Sequence, residues 1–321
     1  MRFALQVLAL FWALANPAVA QDKYPSRQIS IVVGFPPGGT VDLAARALAP
    51  ALQKVTGQTV VVVTKAGAAG GIGAQAVAIA PPDGYTVSIA TSQLTLLPAI
   101  DTLFDRKPAF LRTDFMPVTR LTSEPLMLTA NAELPWKSIK DMVDDAKSRP
   151  GEIVYSSGGL FGVSHMPVEL IQRELGIKLR HLPTAGGGPA LTAVLGGNAT
   201  FSMQGPAAVL PHAKAGKVRV LAALGDKRQA NFPDVPTLKE LGYKTEYYNW
   251  TGLFLPAKTP EPIVAALEAA IAEAVKLPEF TEPIMKAGSS PDILNREAFT
   301  RWFQKHGDDC EVDVKAIGKI Q

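Results

Sequence analysis

The sequence contains a single cysteine, Cys310, and only four histidines among its 321 residues. One cysteine excludes an intramolecular disulfide, and its distance from the amino terminus excludes a lipoprotein signal. Cys310 stands among Asp308, Asp309 and Glu311 in what reads as a polar tail, which predicts a raised thiol pKa and a poor nucleophile. The histidines lack the H-x-x-x-H and E-x-x-H spacings of metal ligands, so neither a metal site nor a cofactor is implied.

The sequence also lacks a strong excess of either positive or negative charge. Lysine and arginine total 32 against 29 aspartates and glutamates, a formal net charge of +3, and no basic run interleaves with aromatic residues. A nucleic-acid partner is therefore not expected. The serine-hydrolase elbow is missing as well, because Met166 stands where a G-x-S-x-G motif around Ser164 would need its second glycine.

Long apolar runs are absent beyond the first twenty residues, so no transmembrane helix is predicted. Within those twenty, Arg2 precedes an apolar run from Phe3 to Leu14, followed by Ala18-Val19-Ala20. The run is shorter than the roughly 20 residues of a membrane span, and a small-x-small ending is typical of a signal peptide. We expect cleavage of residues 1–20 after Ala20, which would leave a periplasmic protein that starts at Gln21.

The remaining chain alternates β-branched runs with helical periodicity, which is typical of parallel α/β units. Ile29–Val33 and Thr59–Val63 read as strands, and the helix between them has an apolar residue every three or four positions, with Thr40 placed as its cap. Further strands are predicted at Thr86–Ala90, Leu126–Ala130, Ile153–Ser156, Thr200–Met203 and Val218–Ala223. Further helices are predicted near His165–Leu175, Pro189–Leu195 and Pro260–Lys276.

Two short stretches that read as irregular, Leu121–Glu124 and Tyr243–Trp250, flank a central segment. About 300 residues are enough for two lobes with separate cores. The sequence predicts an α/β protein with a lobe at 122–243 inserted into a lobe formed by 21–121 and 244–321. Two crossings between lobes would act as a hinge.

Three glycine-rich turns each follow a predicted strand and open a predicted helix: Gly34–Asp42, Ser156–His165 and Thr184–Pro189. Glycine lets the backbone approach a ligand, and the unpaired N–H groups of a helix start attract anions. We expect the three turns to converge on a cleft. A fourth glycine-rich stretch, Gly67–Gly73, is better explained by close helix packing, and Thr91-Ser92-Gln93 at a strand end offers hydroxyl and amide groups to a ligand.

Six segments in this order resemble the substrate-binding receptors of tripartite tricarboxylate transporters, the Bug or TctC-type family. They are Tyr24–Arg27, Val33–Asp42, Gly67–Gly73, Pro82–Thr86, Pro211–Lys217 and Pro256–Pro260. The resemblance covers nearly all of the chain after residue 20. It implies a type II periplasmic-binding-protein fold in which two lobes close on a ligand, often a carboxylate, held largely by main-chain donors.

By position, the resemblance implies ten ligand-binding residues, in agreement with the three turns identified above. They are Phe35, Gly39, Thr40, Asp42, Ser92, Ser156, Gly158, Ser164, Ala185 and Gly186. The chain departs from the family in two places. Thr64-Lys65-Ala66 replaces a usual Asn-Arg-Pro, and Gln204 or Gly205 stands where many relatives have an acidic residue, which argues against an amino-acid ligand because an amide binds an ammonium group less well.

The expected function is capture of a small organic carboxylate, with dicarboxylates and aromatic carboxylates as candidates, by a monomer that delivers it to membrane transporter subunits. Two alternatives remain: a periplasmic α/β enzyme acting on a carboxylate, and a ligand-sensing partner of a membrane sensor kinase. Tyr247, Tyr248 and Trp250 either stack on an aromatic ligand or pack within the hinge.

The proposed processing gives a direct prediction. Protein recovered from the periplasm should begin at Gln21 and carry no lipid, because Ala18-Val19-Ala20 satisfies the processing signal. Amino-terminal sequencing and intact mass measurement test this. A membrane-bound form that retains residues 1–20 would contradict it.

Overall fold

The computed structural model describes residues 24–319; the predicted signal peptide and its cleavage site lie outside them. The strands are β1 Ile29–Val33, β2 Val60–Thr64, β3 Thr86–Ala90, β4 Phe115–Pro125, β5 Met127–Asn131, β6 Val154–Ser157, β7 Arg180–Pro183, β8 Phe201–Gln204, β9 Val218–Ala223, β10 Tyr248–Pro256 and β11 Pro291–Leu294. The helices are α1 Thr40–Thr56, α2 Gly71–Ala78, α3 Gln93–Leu103, α4 Ile139–Ser148, α5 Met166–Leu175, α6 Gly187–Leu195, α7 Pro206–Lys214, α8 Glu261–Ala274, α9 Pro278–Lys286 and α10 Arg296–Ile317.

The strands form two mixed sheets. The first has six strands in the order β11-β4-β10-β3-β1-β2, and the second has five in the order β7-β6-β8-β5-β9. In the first sheet β1 pairs in parallel with β2 and β3. In the second, β6 pairs in parallel with β7 and β8. The carboxyl ends of these parallel strands therefore lie together at one edge of each sheet, where α/β proteins bind ligands.

The chain crosses between the sheets twice. It leaves the first sheet where β4 ends at Pro125 and enters the second at Met127, and it returns where β10 begins at Tyr248. The two crossing segments are hydrogen bonded to each other, because the Leu126 amide donates to the Tyr247 carbonyl over 3.1 Å. The structure thus has two adjacent connections between two α/β units.

The expectation that both crossing regions are irregular holds for 243–247, which form neither helix nor strand, and is wrong for the rest. Residues 121–124 belong to the 11-residue strand β4, and 248–250 belong to the 9-residue strand β10. The two strands pair antiparallel, with Trp250 opposite Ser123 and Asn249 opposite Glu124. Nearly every residue of β4 is buried. A strand with no exposed face lacks the regular apolar–polar alternation by which half-buried strands are recognised in a sequence.

Each sheet carries apolar side chains on both faces. One face of the first sheet packs on α1, α8 and α9 through aliphatic residues such as Leu48, Leu52 and Ile271. The opposite face is aromatic, with Trp250 and Phe254 of β10 among its buried residues. The second sheet likewise separates two clusters. Burial on both faces explains the near-continuous apolar runs of the parallel strands.

The carboxyl-terminal helix α10 joins the two units. Its residues Phe299 and Phe303 pack with the aromatic face of the first sheet, whereas Cys310 and Val314 belong to a buried cluster of the second. The expectation that Cys310 lies in a polar tail is therefore wrong, because the side chain is only 4% exposed. Burial, rather than the neighbouring carboxylates, is the main cause that raises the pKa of its thiol to about 12.

The glycine-rich stretch Gly67–Gly73 packs backbone against backbone. A Cβ on Gly73 would lie 2.6 Å from the Gly34 Cα, and a Cβ on Gly34 would lie 2.6 Å from the Gly70 carbonyl oxygen. Because backbone atoms cannot move aside as a side chain does, these positions require glycine. The packing explanation of this stretch is thereby confirmed. Among residues 24–319, no helix is long and apolar enough to cross a membrane.

This close approach yields a stability prediction. Replacing Gly73 with Ala should lower the free energy of unfolding by about 1–3 kcal/mol, because the added methyl group overlaps the backbone of Gly34. Thermal or urea unfolding measures the change. Gly188→Ala is the matched control, since Gly188 also lies in the first turn of a helix and no atom stands within 4 Å of its Cβ position. Equal stability of the two variants would contradict the prediction.

Candidate ligand-binding site

The first predicted turn connects β1 to α1 at the parallel edge of the first sheet. Gly39 is the N-cap of α1, has an extended conformation with φ −87°, and makes no side-chain cap. The backbone amides of Thr40 and Val41 have no hydrogen-bond partner within residues 24–319. A helix start with uncapped amides presents donors and a partial positive charge to an anion.

The expectation that Thr40 caps α1 is wrong, because Thr40 is the first residue of the helix. Its hydroxyl oxygen instead accepts a hydrogen bond from Asn249 Nδ2 of β10 at 3.1 Å. The Asp42 carboxylate accepts from the Gly38 amide at 3.0 Å and from Arg46 Nε at 2.9 Å. Asp42 thus holds the turn in shape, and Arg46 balances its charge near an anion site.

The neighbouring strand β3 adds two hydroxyl groups at the same edge. The Thr91 Oγ1 atom is fully buried and has no hydrogen-bond partner in the described chain. Ser92, the residue before α3, is 1% exposed. Phe35 packs its ring over Gly70, whose Cβ position would lie 2.8 Å from the ring. The predicted residues Phe35, Gly39, Thr40, Asp42 and Ser92 therefore share one edge of the first sheet.

The turn between β6 and α5 is closed by its own hydrogen bonds. The Gly158 amide donates to Ser164 Oγ over 2.9 Å, and the Phe161 amide donates to His165 Nδ1 over 3.2 Å. Ser156 is fully buried, and its hydroxyl donates to the Ala190 carbonyl over 2.8 Å. The side chains of Ser156 and Ser164 and the Gly158 amide therefore shape the turn through these internal bonds.

The turn between β7 and α6 leaves its donors free. Gly186 is the N-cap of α6, with φ +139° and no side-chain cap, and Ala185 before it is exposed. The amides of Gly187 and Gly188 have no partner in the part of the chain that the structure describes. A Cβ on Gly158 would lie 3.1 Å from the Gly186 carbonyl carbon. The two turns of the second sheet are therefore in direct contact.

Gln204 ends β8 beside these turns and is 4% exposed. Its Nε2 atom donates to the Gly187 carbonyl and to Ser202 Oγ, both over 3.1 Å. Donation to a carbonyl fixes the orientation of the amide. The side chain therefore supports the first turn of α6 from behind.

The aromatic residues near the return crossing are engaged within the protein. Trp250 is fully buried against Phe254, Phe299, Trp302 and Phe303. Tyr247 is 7% exposed, and the Tyr248 hydroxyl donates to Asp226 Oδ1 over 3.1 Å. These contacts favour the packing role of the three residues over stacking on a ligand.

A pair of histidines lies behind the turns of the second sheet. The ring centroids of His165 and His181 are 4.3 Å apart. The Glu169 carboxylate, which accepts from the Tyr155 hydroxyl over 2.6 Å, stands 3.6 Å from His165 Nε2. Burial, aided by the neighbouring His181, lowers the pKa of His165 to about 3, and burial lowers the pKa of His181 to about 4.

The site thus consists of two groups of donors, one at each sheet edge. The first group combines the α1 amides with Thr40, Thr91 and Ser92, and the second combines the α6 amides with the turns behind them. No hydrogen bond in the described chain joins one group to the other. Within residues 24–319, no cluster of three histidine, cysteine, aspartate or glutamate side chains could hold a metal ion.

Sequence reasoning missed Asn249 and gave Thr91 no separate role. Asn249 falls in the stretch that read as irregular, and its contact with Thr40 joins residues 209 positions apart. Thr91 stands in a segment that the sequence did single out, next to Ser92. Its burial without a partner is visible only in the packed structure.

Two solved structures with bound dicarboxylates share this fold. R. palustris Rpa4515 with adipate is 29% identical, with a TM-score of 0.81 over 92% of this chain and 98% of that chain. MatC from Rhodopseudomonas palustris with bound malate is 29% identical, with a TM-score of 0.78 over 90% of this chain and 99% of that chain. The fold is that of two-lobed periplasmic solute-binding proteins, so the predicted α/β fold class is confirmed.

Sequence comparison narrows the class to a family. The tripartite tricarboxylate transporter family receptor, TctC, matches residues 44–318. Protein BugT of Bordetella pertussis is 36% identical over 308 residues, which cover 93% of this chain and 92% of that relative. The chain belongs to the TctC family of tripartite tricarboxylate transporter receptors, and the resemblance stated from its motifs is confirmed.

The buried histidines make stability depend on pH. An unfolded histidine takes up a proton near pH 6.5, whereas folded His165 and His181 stay neutral until about pH 3 and 4. The unfolded state therefore binds more protons below pH 6.5, and stability should be complete above that pH and fall as the pH drops toward 4. Melting temperatures at intervals between pH 7.5 and 4.5 test this.

His181→Asn should make this decline shallower, because one of the buried imidazoles is removed. Part of the decline should persist, since burial also lowers the pKa of His306 to about 4. His212→Asn is the control, because His212 lies on α7 and is not one of the two paired histidines, His165 and His181. A His181 variant with the slope of the unaltered protein would contradict the assignment.

Proposed function

We propose that this receptor captures a small organic carboxylate, with dicarboxylates favoured, in the periplasm and delivers it to a tripartite tricarboxylate-type membrane transporter. One observation carries the proposal: among residues 24–319, α1 and α6 both begin without side-chain caps and leave backbone amides without partners at the parallel edges of the two sheets. Two separate groups of donors suit a ligand with an anionic group at each end.

The relatives support the dicarboxylate assignment. Adipate and malate, named with two neighbours of the same fold, each carry two carboxylates. In the present chain the charge of Asp42 is countered by Arg46. The local charge therefore permits an anion beside α1. The transporter as partner follows from the family, whose receptors are named for it.

The geometry of the only close serine–histidine pair among residues 24–319 argues against the alternative of an enzyme. Ser157 Oγ lies 2.7 Å from His181 Nε2. Ser157 is nevertheless fully buried, and its hydroxyl also contacts the Gly159 carbonyl. A nucleophile must reach its substrate, so this pair serves the turn. Unchanged ligand after prolonged incubation with the protein would support binding without turnover, and product formation would reverse the conclusion.

We further propose that the two units are lobes that close on the ligand. The crossings at Leu126 and Tyr247 lie side by side, which allows rotation about a common axis. Burial of the ligand between the two groups of donors would then require closure. The proposed division keeps a central lobe inserted into a lobe formed by both ends of the chain; the bounds expected from the sequence, 122–243 within 21–121 and 244–321, differ by four residues from the crossings at Leu126 and Tyr247.

Binding and its geometry can be tested together. Among mono-, di- and tricarboxylates, malate or adipate should raise the melting temperature, since a ligand at a hundred times its Kd stabilises by about 2.7 kcal/mol. Gly39→Val should weaken that binding by about tenfold or more, equivalent to about 1.4 kcal/mol, because its side chain would occupy the open space beside the free amides. Calorimetric titration measures the affinity.

Gly39 is the better test position, because no atom lies within 4 Å of its Cβ position and its φ is negative. Gly186→Val should also weaken binding, but φ +139° adds backbone strain to that variant. Gly39→Ala provides the graded control and should lose less affinity than Val. A folded Gly39→Val variant with normal affinity would show that the ligand binds elsewhere.

Lobe closure has its own test: saturating ligand should reduce the radius of gyration in solution scattering. An unchanged radius of gyration would contradict closure.

A further inference from the structure

Asn249 connects the proposed site of the first lobe to the strand by which the chain returns from the second sheet. Its Nδ2 atom donates to Thr40 Oγ1 over 3.1 Å. Two positions earlier, the Tyr247 amide donates to the Leu224 carbonyl over 2.8 Å, and the Tyr247 carbonyl accepts from the Leu126 amide. The side chain that touches Thr40 is therefore anchored beside both crossings.

The direction of this hydrogen bond determines what Thr40 can offer a ligand. A hydroxyl group has one hydrogen and two acceptor positions. When Asn249 donates to the oxygen, it occupies an acceptor position and leaves the hydrogen of Thr40 for another acceptor. No residue within 24–319 accepts that hydrogen. The adjacent amides of Thr40 and Val41 are donors without partners as well.

We propose that Asn249 is a positioning residue for ligand binding: it turns the Thr40 hydroxyl into a hydrogen-bond donor aimed at the ligand carboxylate. This inference rests on the proposed carboxylate binding. In this arrangement the Thr40 hydroxyl joins the backbone amides of Thr40 and Val41 in presenting hydrogen to the anion. The opposite amide orientation would place Oδ1 against Thr40, take up its hydrogen and leave an acceptor facing the ligand.

A double-mutant cycle tests the coupling. Malate and adipate are titrated by calorimetry into the unaltered protein, Asn249→Ala, Thr40→Val and the double variant. Asn249→Ala should weaken binding by about fivefold, because the Thr40 hydroxyl keeps its hydrogen but loses the partner that directs it toward the charged carboxylate. In the Thr40→Val background the same change should alter the affinity by less than about twofold.

Thr40→Ser retains the hydroxyl and gives the matched comparison: Asn249→Ala should again cost about fivefold in that background. Melting temperatures without ligand separate a positioning role from a structural one, since structural damage would appear in both the Val and the Ser backgrounds. If Thr40→Val binds too weakly for calorimetry, thermal shifts at millimolar ligand give the ratio of the affinities with and without Asn249→Ala in that background.

The possible results distinguish failure of the positioning role from failure of carboxylate binding itself. Equal losses from Asn249→Ala in the Val and Ser backgrounds would overturn the positioning role while leaving carboxylate binding intact. Unchanged or tighter binding by Asn249→Ala in the otherwise unaltered protein would show the opposite amide orientation and also overturn it. Failure of the unaltered protein to bind any carboxylate would overturn the proposed function and this inference together.

Discussion

Backbone N–H groups at the first turn of a helix need an acceptor, and in α1 and α6 no side chain among residues 24–319 supplies one at the N-cap. Both helices have a glycine as N-cap, Gly39 and Gly186, which adds no side chain to cover the amides. The remaining architecture places these two helix starts at the parallel edges of two sheets. Asp42 with Arg46 in the first lobe and Gln204 in the second hold the turns without reaching the free amides themselves.

The glycines of the chain divide into two kinds with opposite roles. Gly34 and Gly73 are required because a Cβ on Gly73 would meet the backbone of Gly34, and a Cβ on Gly34 would meet the backbone of Gly70. Gly39 and Gly188 face open space, so the fold itself would accept a side chain at either position. Glycine that the fold does not require, at a position where a ligand would need room, points to recognition rather than to packing.

Most of the short strands could be predicted from the sequence, whereas the two long antiparallel strands β4 and β10 could not. β1, β3 and β9 begin and end where the β-branched runs predict. β4 and β10 were missed because β4 is buried on both faces and contains Pro117, and because Gly252 interrupts β10 where Phe299 packs against it. Their pairing depends on partners more than a hundred residues away, which no local pattern records.

The candidate site could likewise be predicted only in part from the sequence. Turns are local, so the glycine-rich motifs predicted where the free amides lie. Whether an amide is free depends on the side chain that reaches it, and Ser164 engages the Gly158 amide while no residue in the described chain engages that of Gly187. The charged neighbours of Cys310 likewise suggested a polar tail, although α10 buries one residue in each turn at Phe299, Phe303, Gly307, Cys310 and Val314.

The placement of α10 also bears on the order in which the molecule can be built. Cys310 and Val314 complete a buried cluster whose other members include Leu128 of β5 and Phe201 of β8. The ribosome delivers these two residues after every strand of the central lobe, so the cluster stays open on one side until α10 has been made. The central lobe therefore cannot finish its core cotranslationally from its own segment, and its last layer depends on a helix that follows the return to the first sheet.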